Sequence, residues 1–402
     1  MASYVETVLK RSYDAVVVGG GPAGAAAAAA LARAGVSTLI VERKGAVGPP
    51  VRCAEGVPRA RFESLVGPAE AAWVSAPVNG GVGHSPADIR VCRDYPRVGY
   101  ILTRAVFARA VWERAVAAGA TPLPGTAVAA LHETADGVTV DLLRDGRVAG
   151  VVAARAVVGA DGVESVVGRG LGLATAVAAG DVDSCAAYVL AGADEEYDDY
   201  IHFFLGHGYA PGGYAWRFPK GNGLANVGVG ITPTMAAGRT AFDYLDAFVA
   251  RRYPRARVVE VRGGVVPVAK PLARIVTARA ALVGDAARQT DPFSGEGICQ
   301  ALTAGAAAGA AVARGLADGN LAAALAAYEA DWRADYGERY AQHHRVRRVI
   351  LALSDKEMDD TVRIIRDHMD VANIRSSEIF ATFLKALWKN PRLVLKFRHL
   401  LT

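Results

Sequence analysis

Residues 13–24 read "YDAVVVGGGPAG", and the fold turns on how this stretch is read. Ala15 to Val18 is an unbroken apolar run, the pattern of a strand buried on both faces. Gly19, Gly21 and Gly24 follow at G-x-G-x-x-G spacing. The next segment, "AAAAAALARAG", is a strong helix former that stops at Gly35. A second apolar run, "STLIVE", ends at Glu42, 23 residues after Gly19. Strand, glycines, helix, strand and acid stand in register, which predicts a β-α-β dinucleotide-binding unit. Gly19 permits the tight turn, Gly21 lets backbone approach a pyrophosphate, and Gly24 allows close helix–strand packing. The helix start offers unpaired N–H groups to phosphate, and Glu42 can accept from ribose hydroxyls.

This unit alone leaves the nucleotide open between NAD and FAD. Two later segments bear on the choice. Residues 156–169, "AVVGADGVESVVGR", form an apolar strand running into Asp161 and Gly162. Residues 280–302, "AALVGDAARQTDPFSGEGICQAL", form a strand reaching Asp285, then a Pro/Gly loop and a helix. The "GD" after a strand resembles the second FAD fingerprint of flavoproteins. It implies that Asp285 holds the ribityl chain and that loop 292–297 brings N–H groups to the flavin. A simple helix N-cap is the other reading of Asp285.

Together these segments resemble the FAD-dependent hydroxylase-like superfamily, with its glutathione-reductase-type fold and inserted substrate domain. "GYILTRAVFARAV" (99–111) matches the helix whose first arginine, here Arg104, approaches the flavin side. "GADGVES" matches the second nucleotide motif, with Asp161, Gly162 and Ser165 in place. Within that superfamily, "PVRCAEG" (50–56) is similar to the P-x-x-C-x-x-G element of geranylgeranyl reductases. "GYAWRFPKGNGLANVGVG" (213–230) is similar to their Y-x-W-x-F-P segment, with Tyr214, Trp216, Phe218 and Pro219. The resemblance is collinear from residue 13 to about 305. It implies FAD-dependent reduction of isolated double bonds in geranylgeranyl chains, with archaeal membrane-lipid precursors favoured over quinone or chlorophyll side chains.

The implied cofactor set is Gly19, Gly21, Ala23, Gly24, Glu42, Arg43, Arg52, Cys53, Ala54, Arg104, Asp161, Gly162, Asp285, Pro292, Gly295, Gly297 and Ile298. The implied catalytic residues are Cys53, Tyr214 and Trp216. Cys53 stands open between proton donor, disulfide partner of Cys92, Cys185 or Cys299, and small apolar filler. Tyr214, Trp216 and Phe218 are either a lipid-facing wall or ordinary core at period-two spacing. The glycine-spaced strand after them suits close passage of a lipid chain. Rival readings are an aromatic-type monooxygenase, a halogenase suggested by "YAWRFP", and a non-enzymatic carrier.

Fold class is α/β, a three-layer FAD-binding fold with a parallel sheet. The FAD domain is expected over 10–170 and 270–325. An inserted antiparallel-sheet substrate domain is expected over 172–268, and a helical C-terminal region over 326–402. The acidic run "DEEYDD" (194–199) reads as a solvated loop.

At 402 residues and 52% hydrophobic composition, the chain can bury a large core. No segment has the ~20 apolar residues of a membrane span. No signal peptide is evident, so a cytoplasmic location with free thiols is expected. No two cysteines stand at C-x-x-C spacing, so no local metal site is expected, and no nucleic-acid partner. Residues 381–402 hold five bases (Lys385, Lys389, Arg392, Lys396, Arg398) and no acid. This tail suits either an anionic membrane surface or a solvated helical face. Lys220 is a candidate for a lipid head group. His343 and His344 read as surface residues first and head-group contacts second. No second complete G-x-G-x-x-G unit follows, so the reductant stays open between ferredoxin, a deazaflavin and NAD(P)H.

Overall fold

The computed structural model describes residues 9–368 together with Lys385, Trp388 and Lys389. The basic tail lies almost wholly outside the described residues. Within them, two sheets carry the architecture.

The first sheet grows from the opening motif. β1 (Ser12–Val18) lies between β2 (Thr38–Glu42) and the second half of β9 (Arg147–Gly159), all parallel. β6 (Thr121–Pro124) extends it beyond β2, and β15 (Ala280–Leu282) pairs with Val157–Gly159 on the far side. β7 (Ala127–Glu133) and β8 (Val138–Arg144) form an antiparallel meander with the first half of β9. Val16, Val17, Leu39, Ile40, Val157 and Val158 are wholly buried because helices cover both faces.

α1 (Pro22–Arg33) starts with Pro at its first position, where the missing N–H costs nothing. Its Ala-rich surface lets α6 (Ile298–Ala317) approach closely through Gly305 and Gly309. α3 (Arg104–Ala117) buries Phe107, Val111 and Trp112 against the same unit. The short helices α2 (Arg59–Val66) and α4 (Val166–Gly170) close its edges.

The second sheet runs β14 (Arg257–Pro267), β10 (Val182–Ala191), β13 (Leu224–Ile231), β12 (Tyr214–Gly221), β11 (Ile201–Phe204), β4 (Val74–His84), β5 (Arg90–Leu102), β3 (Gly56–Pro58). All neighbours are antiparallel except β11 and β4. Its segmentation differs from the sequence reading. Strands β3 to β5, inside residues 10–170, belong to this sheet rather than to the FAD sheet. β4 and β5 pair with each other and β5 with β3, but the link that joins them to this sheet, β4 to β11, spans about 120 residues, which local pattern could not assign. α5 (Ala241–Arg252) covers the outer face through Tyr244, Leu245 and Phe248. The inner face carries Val78, Ile101, Ala187, Trp216 and Phe218.

α7 (Leu321–Trp332) and a single π-turn at Arg333–Gly337 lead into α8 (Glu338–Leu351), then α9 (Asp355–His368). α8 lies against both sheets' loops, so the C-terminal helices help enclose the space between the two sheets.

Candidate active site

A cleft of about 600 Å³ lies between the first sheet and the inner face of the second. One end is the fingerprint. Gly19 has φ of +106°, and a Cβ there would lie 2.2 Å from the Ala160 carbonyl oxygen. Gly24 is equally constrained, 1.9 Å from the Gly19 oxygen. These two glycines therefore shape backbone and do not line the cleft. Gly21 differs: a Cβ there meets nothing within 4 Å, because it projects into open cleft. Ala23 and Gly162 line the same space. Glu42 borders an adjoining hollow and already accepts from the backbone N–H of Gly20 (2.7 Å) and Lys44 (2.9 Å).

The middle of the cleft is formed by Arg104, Asp285 and loop 293–298. Asp285 accepts from Thr290 Oγ1 at 2.6 Å, and burial raises its pKa. Burial lowers the pKa of the Arg104 guanidinium, opposed by nearby Cys53 and Glu55. No ion pair with an acid ties Arg104 down among the described residues. A guanidinium held by no acid ion pair, bare backbone at Gly21 and Gly162, and a helix start at Ile298 fit a dinucleotide carrying a flavin. Gly295 and Gly297 line the loop as expected, whereas Pro292 is buried behind it.

Two expected cofactor residues lie elsewhere. The Asp161 carboxylate accepts from Ser165 Oγ (2.9 Å) and Val167 N–H (3.0 Å), capping α4. It is outside the cleft lining because these local donors claim it first. Arg43 is exposed and faces Glu164 at 3.8 Å.

Loop 50–56 brings Arg52, Cys53 and Ala54 to the cleft. All four cysteines are free thiols. Cys53 Sγ accepts from the Glu55 N–H at 3.2 Å. Burial pushes the thiol pKa up, and Arg104 opposes it. Cys185 of β10 also faces the cleft, and burial holds it protonated. Cys299 packs in the cluster of Phe62 and Phe107, away from the lining.

The far end is apolar: Val78, Val98, Tyr100, Ile101, Ile201, Phe203, Tyr214, Trp216 and Phe218. The Tyr214 hydroxyl donates to the Ser294 carbonyl at 2.6 Å, joining β12 to the flavin loop. Trp216 Nε1 donates to Asn226 at 3.0 Å. Its indole lies over Gly228, where a Cβ would come within 2.3 Å. Space above the glycine-spaced strand is thus filled by Trp216 at Gly228, and only Gly230 lines the cleft.

Sequence reasoning missed three groups. Glu55, with φ of +75° and 1% exposure, joins the Cys53 loop to Lys220, Arg262 and Asn226. Lys220 is therefore an internal partner, not a head-group ligand. Arg347 of α8 reaches Asp183 (2.6 Å), Gly212 O and Thr232 at the cleft wall. His343, one turn earlier, pairs with Asp291 at 2.9 Å, and His344 is buried, so neither is a surface residue. The i, i+4 spacing of His343 and Arg347 was a usable signal that both share one helix face. Glu195, in the acidic loop, is also tied down, bidentate to Arg252.

This two-sheet frame around an apolar-ended cleft that begins at a dinucleotide fingerprint defines an FAD-dependent oxidoreductase. Residues 12–216 match the FAD binding domain, and residues 181–266 match the geranylgeranyl reductase catalytic domain. The chain is 38% identical to the digeranylgeranylglycerophospholipid reductase of Methanothrix thermoacetophila, over 96% of this chain and 99% of that one. It therefore belongs to the geranylgeranyl reductase family. A geranylgeranyl bacteriochlorophyll reductase-like protein from Thermoplasma acidophilum superposes with a TM-score of 0.89 at 29% identity, covering 97% and 99% of the two chains. A flavin-dependent brominase shares the fold alone, at 18% identity and a TM-score of 0.70 over 95% and 99%.

Proposed function

We propose that this protein reduces isolated C=C bonds in the geranylgeranyl chains of an archaeal-type glycerophospholipid precursor. The carrying observation is the continuity of one cleft from Gly21 and Arg104, past Cys53, to the apolar wall of Phe203, Trp216 and Phe218. A halogenase or hydroxylase needs polar groups to orient an aromatic substrate, and that wall offers hydrocarbon instead.

An isolated alkene has no carbonyl to take up charge, so hydride and proton must arrive on its two carbons nearly together. Bound FAD would supply the hydride equivalent, its two reducing electrons coming from an external donor. Gly21, Gly162, Arg104, Asp285 and Gly295–Ile298 are the residues that would hold it. The chain's own part is the proton. The Cys53 S–H bond breaks as the second C–H bond forms, and the thiolate regains its proton from water. Burial keeps the thiol protonated beforehand. Tyr214 orients the flavin loop through Ser294, and Trp216 shapes the wall. The donor is a low-potential carrier such as ferredoxin or a deazaflavin, or NAD(P)H.

Anaerobic reduction with dithionite followed by a geranylgeranyl lipid tests the reading. Flavin reoxidation with product mass rising in steps of two hydrogens is expected. Reoxidation only by O2 would sink it.

A further inference from the structure

β14 is an edge strand with two unlike faces. Its inner face supplies Arg262, Gly264 and Val266 to the cleft. Its outer side leaves Val258, Val259, Val261 and Val265 exposed, Val261 at 60%, beside exposed Phe242 of α5. A β-bulge at Val259, opposite Val189 and Leu190, turns Val258 outward with the others. Monomeric proteins seldom leave a cluster of this kind without a partner. Val265 is both exposed and part of the cleft lining, so the apolar stripe is continuous with the cleft rim.

Bases gather at the head of the stripe, where Arg251 also lies 5.1 Å over the Tyr209 ring. Arg251, Arg255 and Arg257 are exposed at its head. The nearby acids are engaged within the chain. Glu260 is bidentate to Arg262, Asp246 accepts from Tyr188, and Asp243 caps α5 with Thr240.

We infer that the outer side of β14, with Phe242 and Arg251, Arg255 and Arg257, is the surface that docks this protein onto an anionic lipid bilayer. The valines and Phe242 enter the head-group boundary while the arginines meet lipid phosphates. The free backbone groups of the edge strand stay hydrated at that depth. The cleft rim at Val265 is then held against the membrane, where a prenyl lipid can enter without crossing water. This inference rests on the reading of the chain as a lipid reductase. A second copy pairing along the β14 edge is the competing occupant, and the test below separates it from a bilayer.

The test is flotation of the FAD-loaded full chain with vesicles of phosphatidylcholine alone or with one-third phosphatidylglycerol. Wild type is expected to float only with the anionic vesicles, less so as salt rises. Val259→Asp/Val261→Asp and Arg255→Glu/Arg257→Glu should each weaken partitioning by about tenfold or more. Both should keep the wild-type melting temperature and turnover on detergent-dispersed substrate. Any of three results overturns the inference: undiminished flotation of both variants, a wild-type dimer that these variants split into monomers, or flotation lost only on removing residues 369–402. Failure of the reductase reading shows separately, as absent flavin reoxidation by geranylgeranyl lipid with flotation unchanged.

Discussion

Glu55 Oε2 lies 2.5 Å from Lys220 Nζ, and both side chains are almost wholly withdrawn from water. Arg262 Nη1 approaches the same oxygen at 2.7 Å, an ion pair more than a directed hydrogen bond. The Arg104 backbone N–H donates to the other oxygen at 3.3 Å. One carboxylate thus joins the Cys53 loop, the start of α3, and strands β12 and β14. It does so from a left-handed backbone conformation that a side-chain-bearing residue adopts only when its surroundings demand it.

Removing that carboxylate leaves buried Lys220 without an acid, while Arg262 keeps only Glu260. Glu55→Ala is expected to lower stability by about 3–5 kcal/mol. Denaturant unfolding of the FAD-loaded protein measures it. A loss below about 1 kcal/mol would mean that water already compensates these cations.

The fingerprint glycines should separate by role. Gly24→Ala drives a Cβ into the Gly19 carbonyl and should destabilise the apoprotein. Gly21→Ala meets no protein atom, so apoprotein melting should stay unchanged while FAD affinity falls about tenfold, or 1.4 kcal/mol. Cofactor titration beside apoprotein melting checks both. Equal behaviour of the two variants would refute the division.

At the apolar wall, Gly228→Ala puts a methyl group 2.3 Å from the Trp216 ring and 2.7 Å from the Ala186 oxygen. Displacing the indole is expected to cost about 1–3 kcal/mol. It should also change the Trp fluorescence spectrum. An unchanged spectrum with unchanged stability would show that Trp216 is not seated over this glycine.

For the proton, Cys53→Ser should retain FAD and slow alkene reduction. The sign of the pH dependence follows from burial. The thiol pKa is raised above 9.0, the acid form is the active one, and the rate should stay level through neutral pH and fall only as pH rises through the raised value. Turnover of Cys53→Ser at the wild-type rate would remove the sulfur from the reaction.

Acid should weaken the second sheet. His84 and His202 share a 3.1 Å contact between ring nitrogens and are both buried. Desolvation pushes the His202 pKa down from 6.5 to about 4. A depressed histidine stabilises the fold above its unfolded value. That stability is lost as pH falls from 6.5 toward 4, about 3 kcal/mol in all. Melting temperatures across this range check it, and His202→Phe should flatten the decline. An equally steep decline in that variant would assign the effect elsewhere.

Much of the flavin end was legible locally. Gly21, Asp285 and Gly295–Ile298 sit at strand-to-helix junctions, where spacing along the chain dictates spacing in space. Asp161 stands outside the cleft lining for a local reason: Ser165, four residues on, donates to its carboxylate. Strands β3 to β5 lie inside the expected FAD-domain bounds yet pair in the second sheet, because a strand's pattern records its burial and not its partner.

The β-α-β unit, the FAD loop and the membership of Tyr214 and Trp216 in one strand needed only short-range pattern, since backbone geometry and period decide them. The pairing of Glu55 with Lys220 and Arg262, the seat of Trp216 over Gly228, and the reach of Arg347 to Asp183 needed the folded chain. Each joins residues 12 to more than 200 positions apart, and desolvation makes such contacts count only once the two sheets have closed around them.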